Sequence, residues 1–309
     1  MFEKIVIVTR KTRLDELVER HNTRAQVKFI LEHSGHETVG FPEYAAEDDA
    51  YRRSLEAIRR ALELGLKVQV VERALLSTFN FTDKDLVVAV GQDGLVANTA
   101  KYIGEQPLVG VNPDPERFDG VLLPFKPSAA RAAVTRTMEG RARIRPVTLA
   151  EVRLADGQHL LGFNDLYVGA RTHVSSRYRL RLSEAWEPQS SSGVLVSTGA
   201  GSTGWLSSVF NMAGNVTALT GGKAGSPLKL AWEDPRLVFV VREPFVSRHS
   251  RADHTAGVLE EGRALELESL MPADGVVFSD GVEADFLEFN SGALARIGAA
   301  KQQAQLVVG

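Results

Sequence analysis

Asp93 has the setting that most invites chemistry. It lies in Gly91-Gln92-Asp93-Gly94, a turn reached directly from the apolar run Leu86-Val87-Val88-Ala89-Val90 and followed at once by a helical pattern reaching Ile103. In an open parallel sheet the carboxyl ends of the strands form the ligand crevice. Glycines there let the backbone approach a ligand closely. The next helix offers free N–H groups and the positive end of its dipole to phosphate oxygens. An aspartate in such a turn can take a proton from a substrate hydroxyl or hold a magnesium ion, both standard tasks in phosphoryl transfer. The same four residues also read as a helix cap flanked by turn glycines, and so short a motif does not choose.

A second glycine loop, Gly199-Ala200-Gly201-Ser202-Thr203-Gly204, follows the run Val194–Thr198 and is a literal G-x-G-x-x-G. A dinucleotide fingerprint of that type requires an acidic residue about 20 positions on, at the end of the next strand. The neighbourhood of Gly222–Gly225 has none, and Glu233 and Asp234 come late, in a loop. The oxidoreductase reading is therefore set aside. The hydroxyls of Thr198, Ser202 and Thr203, beside Trp205, still suit contact with a nucleotide, and a mobile connection is the alternative. His33 and His36 flank Gly35 at a helix end and read as a cationic C-terminus rather than a metal pair. Ser247–His254, with Arg248, His249, Arg251 and His254, reads as a solvated basic loop. No P-loop and no His-Glu-x-x-His spacing occurs.

The elements that must carry these residues divide the chain. Up to about Arg141, short apolar runs (Ile5–Val8, Lys67–Val71, Leu86–Val90, Leu108–Val111) alternate with helical patterns, one broken near Asn22 and one over Asp48–Leu64. That alternation predicts an open α/β domain with a parallel sheet. Beyond it, strands dominate: Pro146–Leu154, Phe163–Gly169, Tyr178–Leu182, Gly193–Thr198, Arg236–Val241, Leu265–Leu270 and Gly275–Phe278. Turn pairs such as Asp156-Gly157, Asp274-Gly275 and Asp280-Gly281 separate them, one helix near Gly204–Met212 interrupts, and Ser226–Pro235 reads as a loop. The expected fold is α/β plus all-β, with domains over 1–141 and 142–289.

Composition narrows the class. The 309 residues are 44% hydrophobic and 24% charged, as in ordinary soluble proteins. A net charge of −3 gives no global attraction to nucleic acid or anionic lipid, so any phosphate must be held by local groups. The absence of cysteine removes disulfides, thiol catalysis and Cys-based zinc sites. No apolar run approaches the roughly 20 residues of a membrane helix. With no signal or transit pattern at the start, the expected compartment is the cytoplasm.

Five segments in order resemble one family, the NAD kinases. Gly91-Gln92-Asp93-Gly94 resembles the family's Gly-Gly-Asp-Gly, and Gly110-Val111-Asn112 its Gly-Ile-Asn. Asn164-Asp165 resembles its Asn-Glu pair, and Thr198–Trp205 its Thr-Pro-Thr-Gly-Ser-Thr-Ala-Tyr. Val109–Arg117, with Asn-Pro-Asp-Pro-Glu-Arg, is similar to the mitochondrial-type branch, as are Ser190–Gly193, Arg242–Phe245 and Glu288–Ala293.

The resemblance implies phosphorylation of the 2′-hydroxyl of the adenosine ribose of NAD, with Mg2+ and ATP or polyphosphate, on an α/β domain and a β-rich domain. It implies Asp93 as general base or metal-linked carboxylate, and Gly91, Gln92 and Gly94 as the phosphate loop. Asn112, Asn164, Asp165, Thr198, Gly201, Ser202 and Thr203 would be NAD-binding. It also implies return of about 290–309 to the first domain, nucleotide partners only, and a homodimer or higher homo-oligomer. Three departures stand out. Gln92 replaces a glycine and would cost about 1 kcal/mol or more if positive φ were needed there. Asp165 is a methylene shorter than glutamate, and Ala200 lacks a hydroxyl worth roughly 0.5–1.5 kcal/mol. A catalytically altered nucleotide-binding protein and a kinase for another hydroxylated metabolite are the alternatives.

Overall fold

The structure, a computed structural model, describes residues 2–33, 40–223 and 225–309, so His36 lies outside the described residues. Two compact units are formed, one from Met1–Arg145 with Gln305–Gly309 and one from Pro146–Ala304. The segment that joins the first unit from the far end of the chain is thus 305–309, and 290–304 belongs to the second.

The first unit contains β1 (Lys4–Thr9), α1 (Arg13–His21), α2 (Arg24–His33), α3 (Phe41–Ala61), β2 (Lys67–Glu72), β3 (Asp85–Val90), α4 (Asp93–Ala100), β4 (Pro107–Val111) and α5 (Ala130–Met138). β2, β1, β3 and β4 pair side by side, all parallel, and residues 305–307 add a further parallel strand beside β4. Every residue of β3 is buried, as expected for a strand covered on both faces. Burial of each of its leucine and valine side chains stabilises the unit by about 1.5–3 kcal/mol. Ile5, Ile7, Ile58, Leu62, Val88, Val109 and Val134 close the core over it.

α1 starts on a reciprocal cap: the Thr12 hydroxyl accepts the Asp15 N–H, and the Asp15 carboxylate accepts the Thr12 N–H. It ends at Asn22, whose φ of 66° breaks the helix where the sequence pattern faltered. α3 begins seven residues before the expected Asp48, behind Pro42 in its first turn. Its early turns hide from an apolar pattern because the buried side chains there include Glu47 and Asp48, paired with Arg10 and Arg52.

The second unit is built from β5 (Arg143–Leu154), β6 (His159–Gly162), β7 (Asp165–Ala170), β8 (Ser176–Arg181), β9 (Trp186–Ser191), β10 (Val194–Ser197), α6 (Trp205–Leu219), β11 (Leu237–Val241), β12 (Ala256–Leu259), β13 (Leu265–Ser269), β14 (Gly275–Ser279), β15 (Phe286–Glu288) and β16 (Leu294–Val308). One antiparallel sheet runs β12-β11-β10-β7-β14-β15. β16, β13, β8 and β9 pair antiparallel in the other, with β9 at its edge, where Pro188 is tolerated. Leu166, Val168, Val196, Phe239, Tyr178, Leu180, Leu267 and Ile297 fill a common core between these strands.

The strand expected over Phe163–Gly169 starts two residues later, at Asp165, because the Phe163 and Asn164 amides bond the Asp280 carboxylate instead of a neighbouring strand; β6, before it, was not expected. The helix expected near Gly204–Met212 runs on to Leu219, and Ser226–Pro235 contains no helix or strand. No helix among the described residues is long and apolar enough to cross a membrane.

Candidate active site

In the first unit the turn after β3 places Asp93 as the first residue of α4. Its carboxylate is half-buried and accepts two backbone N–H bonds, from Val121 at 3.1 Å and from Leu122 at 2.7 Å. Gln92 precedes it as the N-cap with φ −117° and ψ 167°. This is extended backbone that any residue adopts, so the strain expected for glutamine in place of glycine does not arise. The two glycines of the turn differ. A Cβ on Gly91 would lie 2.8 Å from Leu95 Cδ2, so a larger residue there would push the buried Leu95 side chain aside. A Cβ on Gly94 would meet nothing within 4 Å, and Gly94 has ordinary φ. Neither strain nor internal packing requires glycine at 94, where the surface next to the helix N-terminus is open.

The end of β3 is pinned from behind. Tyr51 of α3 donates to the Val90 carbonyl at 3.0 Å and accepts the Arg10 N–H at 3.0 Å. Arg10 in turn bonds Glu47 at 2.9 Å. Asn112, at the end of β4, is 3% exposed. Its side chain donates to the Phe118 carbonyl at 2.7 Å and accepts the Asp114 N–H at 3.1 Å. Both of its polar atoms are thus engaged within 112–118. Among the described residues no group of three or more His, Asp or Glu side chains converges as a metal site.

In the second unit Asn164 and Asp165 sit where the chain enters β7. The Asp280 carboxylate accepts three successive N–H bonds, from Phe163 at 3.0 Å, Asn164 at 2.6 Å and Asp165 at 3.4 Å. Asp280 itself has φ 53°, and its N–H returns to the Asp165 carbonyl at 3.1 Å. Thr198 is fully buried and donates to the Phe163 carbonyl at 2.6 Å, while its N–H bonds the Asn164 carbonyl at 2.9 Å. Ser202, 3% exposed, accepts the Leu230 N–H at 3.3 Å. A Cβ on Gly201 would lie 2.1 Å from the Asn164 carbonyl. Thr198 and Gly201 therefore seat the glycine loop on the Asn164 turn and Ser202 ties it to Leu230, while Thr203 is exposed. Residues 200–203 form a single 3-10 turn after a strand with antiparallel neighbours, which is no βαβ unit.

Beside this turn a cavity of about 390 Å3 is lined by Tyr167, Trp205, Phe278, Arg171, Arg242 and Glu283 among others. Tyr167 and Trp205 lie nearly parallel, centroids 5.9 Å apart, and the Arg242 guanidinium stands 5.1 Å from the Trp205 ring. Burial pushes the Tyr167 phenol up, so it stays neutral and donates to the Ala170 and Ser192 carbonyls. The cavity combines aromatic faces with a net positive rim, a chemistry suited to a planar ring carrying anionic groups.

No protein-family model matches the chain. Its sequence is 25% identical to NAD kinase 2, mitochondrial, of Rattus norvegicus, over 79% of this chain and 74% of that protein. Identity to the Homo sapiens protein of the same name is 24%, over 79% and 71%. The chain is thus similar over most of its length to mitochondrial NAD kinases. Its fold is that of an NAD kinase from Archaeoglobus fulgidus crystallised in complex with ATP (TM-score 0.55, 17% identity, 98% of this chain and 93% of that one). Yeast NADH kinase, crystallised with NADH, also shares it (TM-score 0.56, 15% identity, 100% and 84%).

The turns at 91–94 and 198–205 are contiguous in sequence, whereas the residues that secure them are not. Asp280 was visible only as half of an Asp-Gly turn pair. Tyr167 and Arg171 belong to β7 and its end, whereas Phe278 on β14 and Arg242 after β11 come from distant parts of the chain. The basic loop is partly anchored: His254 bonds the buried Glu187, whereas Arg248 and Arg251 are exposed.

Proposed function

We propose that the protein transfers the terminal phosphoryl group of ATP or polyphosphate to the 2′-hydroxyl of the adenosine ribose of NAD, giving NADP. The observation that carries the reading is Asp93: a carboxylate at the carboxyl end of a buried parallel strand, oriented by two amides, beside the open Gly94 surface and a helix N-terminus. In this mechanism Asp93 accepts the hydroxyl proton as the ribose oxygen bonds to phosphorus. The bond from phosphorus to the donor's bridging oxygen breaks, and ADP or shortened polyphosphate leaves. The free N–H groups at the start of α4 and its dipole stabilise the charge on the transferring group.

A lone carboxylate fits a magnesium ion that takes its remaining ligands from phosphates and water, so Asp93 is the residue that would hold it. Bound there, the ion would neutralise charge developing between the phosphates. Asn164, Asp165 and the exposed Thr203 are assigned to NAD, with Thr198, Gly201 and Ser202 holding their loop in place. The cavity at Tyr167 and Trp205 is assigned to the same dinucleotide. Gln92 in relaxed backbone removes the observation that motivated a catalytically altered protein.

A homodimer is part of the proposal. α6 carries no charged side chain and leaves Met212, Val216 and Leu219 exposed, a patch that self-association would cover. Light scattering tests it. The cytoplasm is the proposed compartment; the mitochondrial designation belongs to the animal relatives. Incubation with NAD or NADH, magnesium, and either ATP or polyphosphate, with sugars and nucleosides as competing acceptors, tests the activity. A competitor phosphorylated in preference to NAD would overturn the acceptor assignment.

A further inference from the structure

The motif Asn112–Arg117 marks a branch of the family but has no part in the mechanism above. Its geometry supplies one. From β4 the chain turns away at Asn112 and comes back to β4 at Phe125: the Asn112 N–H donates to the Phe125 carbonyl at 2.8 Å, and Phe125 pairs with Val111. Between these points Asp114 starts a tight turn, its carbonyl accepting the Arg117 and Phe118 N–H groups at 3.1 and 3.0 Å. The Asn112 side chain ties both ends of that turn, through the Asp114 N–H and the Phe118 carbonyl. The following residues then deliver the Val121 and Leu122 amides to Asp93.

Two glycines show how closely the segment is seated. A Cβ on Gly110 would lie 2.2 Å from the Leu122 carbonyl oxygen, so only glycine admits the returning chain. Gly120 has φ +65°, and a Cβ there would lie 2.6 Å from Asn112 Nδ2. Gly110, Asn112 and Gly120 thus converge on one result, the position of two amides on one carboxylate. Asn112 is 3% exposed, and each polar atom of its side chain already has a partner inside this segment.

We infer that Asn112 is a positioning residue for Asp93 rather than an NAD ligand, and that residues 113–122 are the second half of the catalytic turn. The catalytic part of this statement rests on the kinase reading. Asn112→Ala and Gly120→Ala separate the roles, because the second removes no group that could touch NAD. Both variants are expected to lower kcat by about 10- to 100-fold, the effect of misplacing a reacting group by about 1 Å. The KM for NAD should stay within about twofold, since uniform binding is untouched. A raised KM with unchanged kcat in Asn112→Ala would make Asn112 a ligand and overturn the inference.

Amide hydrogen exchange gives a readout that needs no turnover. Protection at Val121 and Leu122 should fall in Asn112→Ala, in Gly120→Ala and in Asp93→Ala, with protection in β3 and β4 retained. Unchanged protection in Gly120→Ala overturns the inference, and that variant decides alone if Asn112→Ala does not fold. A wild-type protein that makes no NADP would remove the kinase reading, while the exchange pattern would still decide whether Asn112 holds the segment on Asp93.

Discussion

Replacing Asp280 by asparagine removes one carboxylate oxygen from beneath three amides and sets an NH2 group in its place. In the native protein the N–H groups of Phe163, Asn164 and Asp165 approach that carboxylate at 3.0, 2.6 and 3.4 Å. The third lies near the limit of a useful hydrogen bond, so two bonds carry the clamp. A hydrogen bond to a charged group contributes about 1.5–3 kcal/mol, and a buried donor left without a partner costs about 1–3 kcal/mol. The two terms overlap for the one amide that loses its acceptor, which gives a net loss of about 2–3 kcal/mol. For a unit the size of Pro146–Ala304 that corresponds to a melting point lower by roughly 4–12 °C. Asparagine tolerates the φ of 53°, so backbone strain contributes little to the change. Asp280→Gly keeps that φ and removes both oxygens, and should fall further. Calorimetry reads the stability, and titration with NAD reads the affinity, which should weaken because Asn164 and Asp165 are no longer held. An Asp280→Asn protein melting within about 1 °C of wild type and binding NAD equally well would refute the clamp.

Other consequences follow from single positions. Gly94→Ala should leave stability unchanged or raise it by up to about 1 kcal/mol as a helix residue, yet lower turnover if phosphate approaches there. Gly91→Ala should instead cost about 1–3 kcal/mol in a chemical denaturation curve, since its methyl would meet Leu95. Gln92→Gly should bring no gain in NADP formation, because the backbone at 92 is already extended; a large gain would restore the view that Gln92 impairs the site. Burial alone would raise the Glu187 carboxyl, but hydrogen bonds from Gln189, His254 and the Asp253 and His254 amides outweigh it and hold the carboxyl below its ordinary range. Its folded value is lower than its unfolded one, so its contribution to stability is present above the ordinary glutamate range and is lost as pH falls through the folded value. A Glu187→Gln variant should show a flatter acid limb in stability measured against pH, and an unchanged limb would remove Glu187 from the account.

Much of the first unit was legible because a strand buried on both faces is written as an unbroken apolar run, as in Leu86–Val90, and its end marks the crevice. The early turns of α3 were hidden because Glu47 and Asp48 are buried in ion pairs, so polarity did not signal exposure. The edge strand Trp186–Ser191 contains a proline and no apolar alternation, so it was absent from the expected strands. The site divides in the same way. Gly91–Gly94 and Thr198–Trp205 are contiguous and could be read directly. The Asp280 clamp joins residues 115 to 117 positions apart, and the hold of Val121 and Leu122 on Asp93 spans 28 and 29, distances that no local pattern records. Gln92 raised a question that only a backbone angle could answer.

The most direct test compares wild-type protein and Asp93→Asn in one assay, with NADP formation from NAD, magnesium and either donor measured alongside NAD affinity. The account predicts NADP from the wild type with at least one donor. It predicts a loss of about 100- to 10,000-fold in turnover for Asp93→Asn, the usual contribution of a general base, with NAD affinity within about threefold. Equal turnover by the two proteins, or no NADP from the wild type with either donor, would contradict it.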